Sequence, residues 1–190
     1  MSKKPVASGK SSIDLVNPDT IFDLLGTDAN RIFLDLACGA GNYTLELARR
    51  TEDSGTIHAM DLWEDGITAL RHAAREQEFS SIQPVQHDVT KPFPYESNSI
   101  DACLIATFLH DLKDHEQPKA LLEVARVLKP GGVLVIVEFK KIDHGPGPGI
   151  HIRLDENEVS ERVTQHGFTL RQTQEAGEYT YVMQFEKKAE

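Results

Sequence analysis

Asp35-Leu-Ala-Cys-Gly39-Ala-Gly41-Asn42 is the stretch on which the fold turns. Before it, Arg31 to Leu36 (RIFLDL) is a short apolar run suited to a buried strand, and after it Asn42 to Arg50 reads as a helix. Gly39 and Gly41 lack Cβ atoms, so the chain can turn tightly and a ligand can approach the helix N-terminus. A Gly-x-Gly pair also makes ordinary strand-to-helix turns, so the acid inside the stretch carries the weight. Asp35 places negative charge where a pyrophosphate would be repelled, and Thr44 stands where dinucleotide-binding loops carry a third glycine. A cationic amine or sulfonium suits such a loop better than a nicotinamide dinucleotide does. Asp61, 20 residues past Gly41 at the end of the next strand, can accept from both hydroxyls of a ribose.

Outward from this centre, the apolar period switches repeatedly between strand-like and helix-like, the pattern of an α/β domain. Asn17-Pro18 starts a helix over Ile21, Phe22, Leu24 and Leu25 that stops at Gly26. Thr56 to Met60 is the second strand, followed by a helical stripe at Trp63, Ile67, Leu70 and Ala74. Ser81 to His87 is the third strand, moved toward a sheet edge by Pro84, and Ile100 to Ala106 is the fourth. A helix over Asp114 to Lys129 ends at Pro130-Gly-Gly132, and Val133 to Phe139 is the fifth strand. Asp143 to Gly149 (DHGPGPG) reads as a loop, and Asp155 with Glu158 forms a carboxylate capping box for a helix closed by Gly167. Phe168 to Gln172 and Glu178 to Phe185 lie too close in sequence for a parallel crossover, so they are antiparallel neighbours.

Composition bounds the partners. The chain has 190 residues, 39% of them hydrophobic and 26% charged, with 30 acidic against 20 basic side chains and a net charge of −10. That balance disfavours nucleic acid and anionic lipid as partners, and the Lys3, Lys4, Lys10 cluster reads as part of a flexible tail over residues 1–15. A single domain over residues 1–190 is expected. No apolar run of signal-peptide or membrane-span length is present, and Cys38 and Cys103 each sit in an apolar stretch as reduced core residues. Together these predict a cytoplasmic protein without a metal site.

The ordered motifs resemble those of class I S-adenosylmethionine-dependent methyltransferases of the small-molecule branch. Asp35 to Gly41 is similar to their glycine-rich loop, Asp61 to their ribose-binding acid, and Asp88-Val89 before Pro92-Phe93-Pro94 to their adenine-reading stretch. Ile100 to Ala106 and Leu128-Lys-Pro-Gly-Gly132 resemble the fourth strand and the turn into the fifth. The resemblance implies a Rossmann-like three-layer sandwich with a seven-stranded sheet in the order 3-2-1-4-5-7-6, strand seven antiparallel. It implies S-adenosylmethionine as cofactor and S-adenosylhomocysteine as product. The implied cofactor-binding residues are Asp35, Ala37, Gly39, Gly41, Asp61, Leu62, Asp88, Val89 and Ala106. Asp35 would accept from the amino group, Leu62 would lie against the adenine, and Ala106 would lie near the sulfonium. Transfer would be an in-line displacement, which needs positioning and dryness rather than an enzyme nucleophile.

For the acceptor the residues leave more than one reading open. His110 follows the fourth strand, where similar enzymes carry a histidine beside the acceptor, and Asp111 would orient or charge it as a general base. The other reading is a polar loop whose histidine closes the site. His144, His151 and Arg153 either line an acceptor pocket or belong to a solvated loop. The segment Ala106-Thr-Phe-Leu lacks the Asn/Asp-Pro-Pro-Tyr/Phe sequence of base-nitrogen methylation, and no Pro-Cys pair follows it. A small molecule is therefore the expected acceptor, with quinone-biosynthesis methyltransferases similar in style. A non-catalytic S-adenosylmethionine-binding module would use the same cofactor residues. The oligomeric state is open, a homodimer among the options.

Overall fold

The computed structural model describes residues 9–189. The sheet is built from β1 (Ile32–Leu36), β2 (Thr56–Asp61), β3 (Ile82–Gln86), β4 (Ile100–Ala106), β5 (Leu128–Phe139), β6 (Phe168–Gly177) and β7 (Thr180–Lys187). Their order is β3-β2-β1-β4-β5-β7-β6. The first five pair in parallel, whereas β7 is antiparallel to both β5 and β6. The expected order and the expected antiparallel strand are both present. Helices α1 (Pro18–Leu25), α2 (Asn42–Arg50), α3 (Glu64–Glu76), α4 (Gln117–Val127) and α5 (Glu156–Thr164) cover the two faces.

The period-two alternation of the strands divides the apolar side chains between those faces. Phe33, Ile57, Ala59, Leu104 and Val135 face α1, α2 and α3, where they meet Phe22, Leu47 and Leu70. Leu34, Leu36, Met60, Ile105 and Ile136 face the other way, onto Leu121 and Val124 of α4 and Val159 and Val163 of α5. Full burial of each Leu, Ile, Val, Phe or Met among them is worth about 1.5–3 kcal/mol.

Asn17 caps α1 by accepting from the Asp19 N–H, and the Asp155–Glu158 capping box on α5 forms as read. Pro84 lies in β3, an edge strand. Elsewhere the boundaries move. Trp63 precedes α3 rather than lying within it. The fourth helix spans Gln117–Val127, not Asp114 to Lys129, because turn bonds from Glu116 and Gln117 to the Lys113 carbonyl come before it. At its far end Leu128 is already extended and pairs with Ile100. Pro130-Gly-Gly132 is therefore a bulge inside β5: Ile100 faces Leu128 while Ala102 faces Val133. Strand β6 continues five residues past Gln172, to Gly177, in a polar stretch whose side chains are largely exposed at the sheet edge.

Of the tail read over residues 1–15, residues 1–8, with Lys3 and Lys4, lie outside the described residues. Gly9, Lys10 and Ser11 are exposed, and burial begins at Ser12. A 3-10 turn spans Ile13–Leu15, and Ser12 is buried beneath it.

Candidate active site

A cleft opens at the carboxyl ends of β1 and β4, where the direction of strand order reverses and ligands gather in such sheets. Asp35, Ala37 and Gly39 line it from the first loop, Tyr43 from α2, Ala106 and Thr107 from the end of β4, and Gly9 to Ser12 from the N-terminal segment. The loop is held by the Cys38 N–H donating to the Met60 carbonyl (3.1 Å) and the Gly41 N–H donating to the Cys38 carbonyl (2.8 Å).

The two glycines have different tasks. A Cβ built on Gly39 meets no protein atom within 4 Å and would point into the open cleft. A Cβ on Gly41 would stand 2.3 Å from Leu70 Cδ1, and its φ of +84° is already unfavourable for a side chain. Gly41→Ala is thus expected to cost about 1–3 kcal/mol of folding stability by overpacking, read by denaturant unfolding. Gly39 also has a positive φ of +57°, so Gly39→Ala should cost about 1–2 kcal/mol of folding stability through backbone strain and, besides, weaken ligand binding. Gly66 was not singled out in the sequence, yet its Cβ would lie 2.7 Å from the Gly39 carbonyl oxygen. A glycine in the first turn of a helix is a signal of such close approach.

Asp35 is buried and accepts from the Thr44 hydroxyl at 2.5 Å, which accounts for Thr44 in place of a third glycine. Burial, opposed by the Thr44 bonds and reinforced by the charge of Asp61, pushes its carboxyl up to about 7. Asp61 ties the loop to α3: Oδ2 accepts from the Gly39 N–H (2.8 Å) and Oδ1 from the Trp63 N–H (2.7 Å). Each oxygen keeps acceptor capacity for a ligand. The His87 N–H donates to the Asp61 carbonyl (2.9 Å), bringing Asp88 and Val89 to the same edge. Asp88 Oδ1 accepts from both the N–H and the hydroxyl of Thr90. Partial burial works against it, but these bonds, with Lys91 and His87, hold its carboxyl below the usual range. Val89 is buried, Leu62 is exposed, and Leu62, Asp88 and Val89 lie on the edge outside the cleft lining.

At the β4 end, His110 lies in a 3-10 turn over Leu109–Asp111 with its side chain only 4% exposed. Its main partner is Glu138, a fully buried carboxylate on β5, at 2.5 Å from Nδ1. Asp111, read as the orienting acid, is 3.5 Å from Nε2 and more exposed. A lone acid in the apolar run Val133 to Phe139 was the signal for Glu138. Thr107 adopts φ +49°, rare for a β-branched residue, and is held by its N–H donating to the Val137 carbonyl (2.7 Å). The Ser12 hydroxyl joins it (3.0 Å) to the Tyr43 hydroxyl (2.9 Å) across the cleft, a link that local sequence patterns do not reveal.

The loop after β5 is anchored by buried Arg153, which donates to the carbonyls of Lys140, His144, Pro146 and Pro148. His144 and His151 are exposed on it. Among the described residues no group of three or more His, Cys, Asp or Glu could hold a metal, both cysteines are free thiols, and no helix is long and apolar enough to cross a membrane.

Residues 34–136 match a family described as a methyltransferase domain. A 2-phytyl-1,4-naphtoquinone methyltransferase of Nostoc punctiforme is 34% identical over 109 residues, 57% of this chain and 46% of that one. A ubiquinone/menaquinone biosynthesis C-methyltransferase of Idiomarina loihiensis is 32% identical over 120 residues, 63% of this chain and 47% of that one. The match thus spans about half the length of these relatives. A solved S-adenosylmethionine-dependent methyltransferase from Aquifex aeolicus shares the fold with a TM-score of 0.84 at 23% identity, covering 94% of both chains.

Proposed function

The chain belongs to the methyltransferase domain family, and on that premise we propose that it moves a methyl group from S-adenosylmethionine to a small quinone-type acceptor by in-line displacement. The observation that carries the reading is the pairing of Asp35 and Gly39 in one cleft: a buried acid beside a glycine whose Cβ would project into open space. A buried carboxylate near its own pKa gains most from a cationic ligand, and the cofactor carries an ammonium and a sulfonium. The donor set fits on the same ground. Asp61 has lone pairs left for a ribose after holding the loop, and Asp88 has its Oδ2 left beyond the Thr90 bonds.

When bound, S-adenosylmethionine supplies a methyl group already activated by its positive sulfur. The chain's own residues then bind, orient and exclude water. Asp35 would accept from the amino group, and Gly39 and Gly41 would let the backbone approach. Asp61 would hold the ribose, with Leu62 against the adenine and Asp88 and Val89 at its edge. Ala106, at the end of β4, and Thr107 after it would lie beside the reacting centre, with the Ser12–Tyr43–Thr107 hydroxyls on one side of the cleft. His110, backed by Glu138, would take the proton released by a hydroxyl or carbon acid of the acceptor. The relatives' names support a quinone-type acceptor, and the surface charge supports a small molecule over nucleic acid.

Calorimetric titration with S-adenosylmethionine, S-adenosylhomocysteine and NAD tests the cofactor, with binding expected for the two adenosyl compounds and not for NAD. Absence of binding by both would sink the reading. A methyl-transfer assay on reduced naphthoquinones tests the acceptor. His110→Ala should lower turnover while sparing cofactor affinity. Cofactor binding without transfer to any small-molecule acceptor would favour a binding module instead.

A further inference from the structure

Glu138 is the one acid in the apolar fifth strand, and it is completely buried. Its carboxylate grips His110 twice: Oε2 lies 2.5 Å from Nδ1, and Oε1 accepts from the His110 backbone N–H at 3.2 Å. Oε2 also accepts from the Phe139 N–H at 3.3 Å, which fixes the carboxylate itself. The Phe139 ring meets the imidazole edge-on, with centroids 6.0 Å apart. Both the ring angle and the chain position of His110 are therefore set from β5. Asp111 makes only the 3.5 Å approach to Nε2, from a side chain that is 30% exposed.

We propose that Glu138 is the positioning residue of the acceptor end: it holds the imidazole proton on Nδ1 and leaves Nε2 of His110 as the atom that gains and loses a proton. This rests on the reading of the cleft as a methyl-transfer site, with His110 three residues past Thr107 of the cleft lining and outside that lining itself. Both Glu138 oxygens already accept from backbone N–H groups, Oε1 from His110 and Oε2 from Phe139, so the carboxyl is set as an acceptor and Nδ1 is assigned as the donor, which leaves the lone pair of the neutral ring on Nε2. In the proposed reaction the acceptor's O–H or C–H bond would break, an electron pair of the acceptor would form the new bond to the methyl carbon, the methyl–sulfur bond would break with its electron pair left on sulfur, and the proton would go to Nε2. The released cofactor product leaves as a neutral thioether, so charge balances.

Asp111 on its own turn, Glu138 on β5 and Arg153 just before α5 act on His110, and Tyr181 on β7 lies opposite Glu138 in register. Arg153 directs its donors to the carbonyls of the loop, and the Tyr181 hydroxyl donates to the Leu154 carbonyl, so neither competes for the imidazole. Burial draws the His110 pKa down, but the Glu138 bond and charge, with Asp111, outweigh burial and the Arg153 charge and raise it above 6.5.

Nitrogen-15 NMR of the histidine-labelled full chain tests the arrangement without any acceptor, His110→Gln serving to assign the signal. In the wild type the neutral form should show a protonated Nδ1 and an unprotonated Nε2. Glu138→Gln should lower the His110 pKa by about one unit or more, the usual effect of removing a close opposite charge. Asp111→Asn should lower it less. A neutral ring protonated on Nε2, or a larger shift in Asp111→Asn than in Glu138→Gln, overturns the proposal, and the first of these needs no variant to fold. With S-adenosylmethionine and a reduced demethylnaphthoquinone, the acid limb of the kcat profile should follow the NMR pKa downward in Glu138→Gln, and Glu138→Asp should recover part of the shift. A limb that stays put while the NMR pKa moves also overturns it. The expected tautomer and shift without methylation of any acceptor would instead count against the functional reading and leave the Glu138–His110 pairing standing.

Discussion

Between pH 5 and pH 7 the affinity for S-adenosylmethionine is expected to rise by roughly 10- to 100-fold, because Asp35, the acid proposed to meet its ammonium, ionises across that range. In the free protein Asp35 titrates at about 7, so about 1% of it is ionised at pH 5 and half at pH 7. The ligand's charge favours the ionised form, and binding below pH 7 therefore releases a proton. Calorimetry in buffers of different ionisation heat measures that release directly, and the ligand amine remains largely protonated throughout. Asp35→Asn should bind weakly and with a flat pH profile. A steep profile surviving in Asp35→Asn would assign the proton to another group. The sign for stability is the reverse. The folded protein holds the Asp35 proton more tightly than the unfolded chain, whose value is near 3.8, so this group's contribution is greatest below about 4. It declines as pH rises toward about 7 and is constant beyond.

Asp61→Ala should lower cofactor affinity by about 1.5–3 kcal/mol, roughly 10- to 150-fold, through loss of charge-assisted bonds to the ribose. The same change orphans the backbone N–H groups of Gly39 and Trp63, so a drop in unfolding midpoint should accompany it. Asp61→Asn separates the two effects. Its one carbonyl oxygen can still accept from one of the two N–H groups, so it should recover part of the stability and little of the affinity. Unchanged affinity in both variants would remove Asp61 from the ligand site. A full loss of binding together with unfolding in both would make Asp61 a loop-holding residue first.

His110 and Asp111 show why only part of the site was legible. Adjacent in the chain, they suggested a dyad, and Asp111 does approach Nε2 at 3.5 Å, but the shorter contact of the imidazole is to a carboxylate 28 positions later, which chain adjacency does not reveal. For Arg153 the sequence left a pocket residue and a solvated loop open, and the structure instead buries it, its five guanidinium donors satisfying carbonyls of the glycine-proline loop. The Pro130-Gly-Gly132 segment reads locally as a helix stop. Whether it ends a helix or bulges from a strand depends on Ile100, which pairs with Leu128 before it.

The sequence by itself determined the alternation of strands and helices, the caps of α1 and α5, the glycine loop, and the acids at the ends of β1, β2 and β3. These are local: periodicity, chirality and charge within a few residues are enough to specify them. Only the tertiary structure decided that Gly41 yields to Leu70, that Ser12 reaches Tyr43 and Thr107, and that Glu138 holds His110. Each of those joins residues from different strands or helices, and burial rather than sequence proximity selects the partner, because a buried polar group must find whatever donor or acceptor the packing brings to it.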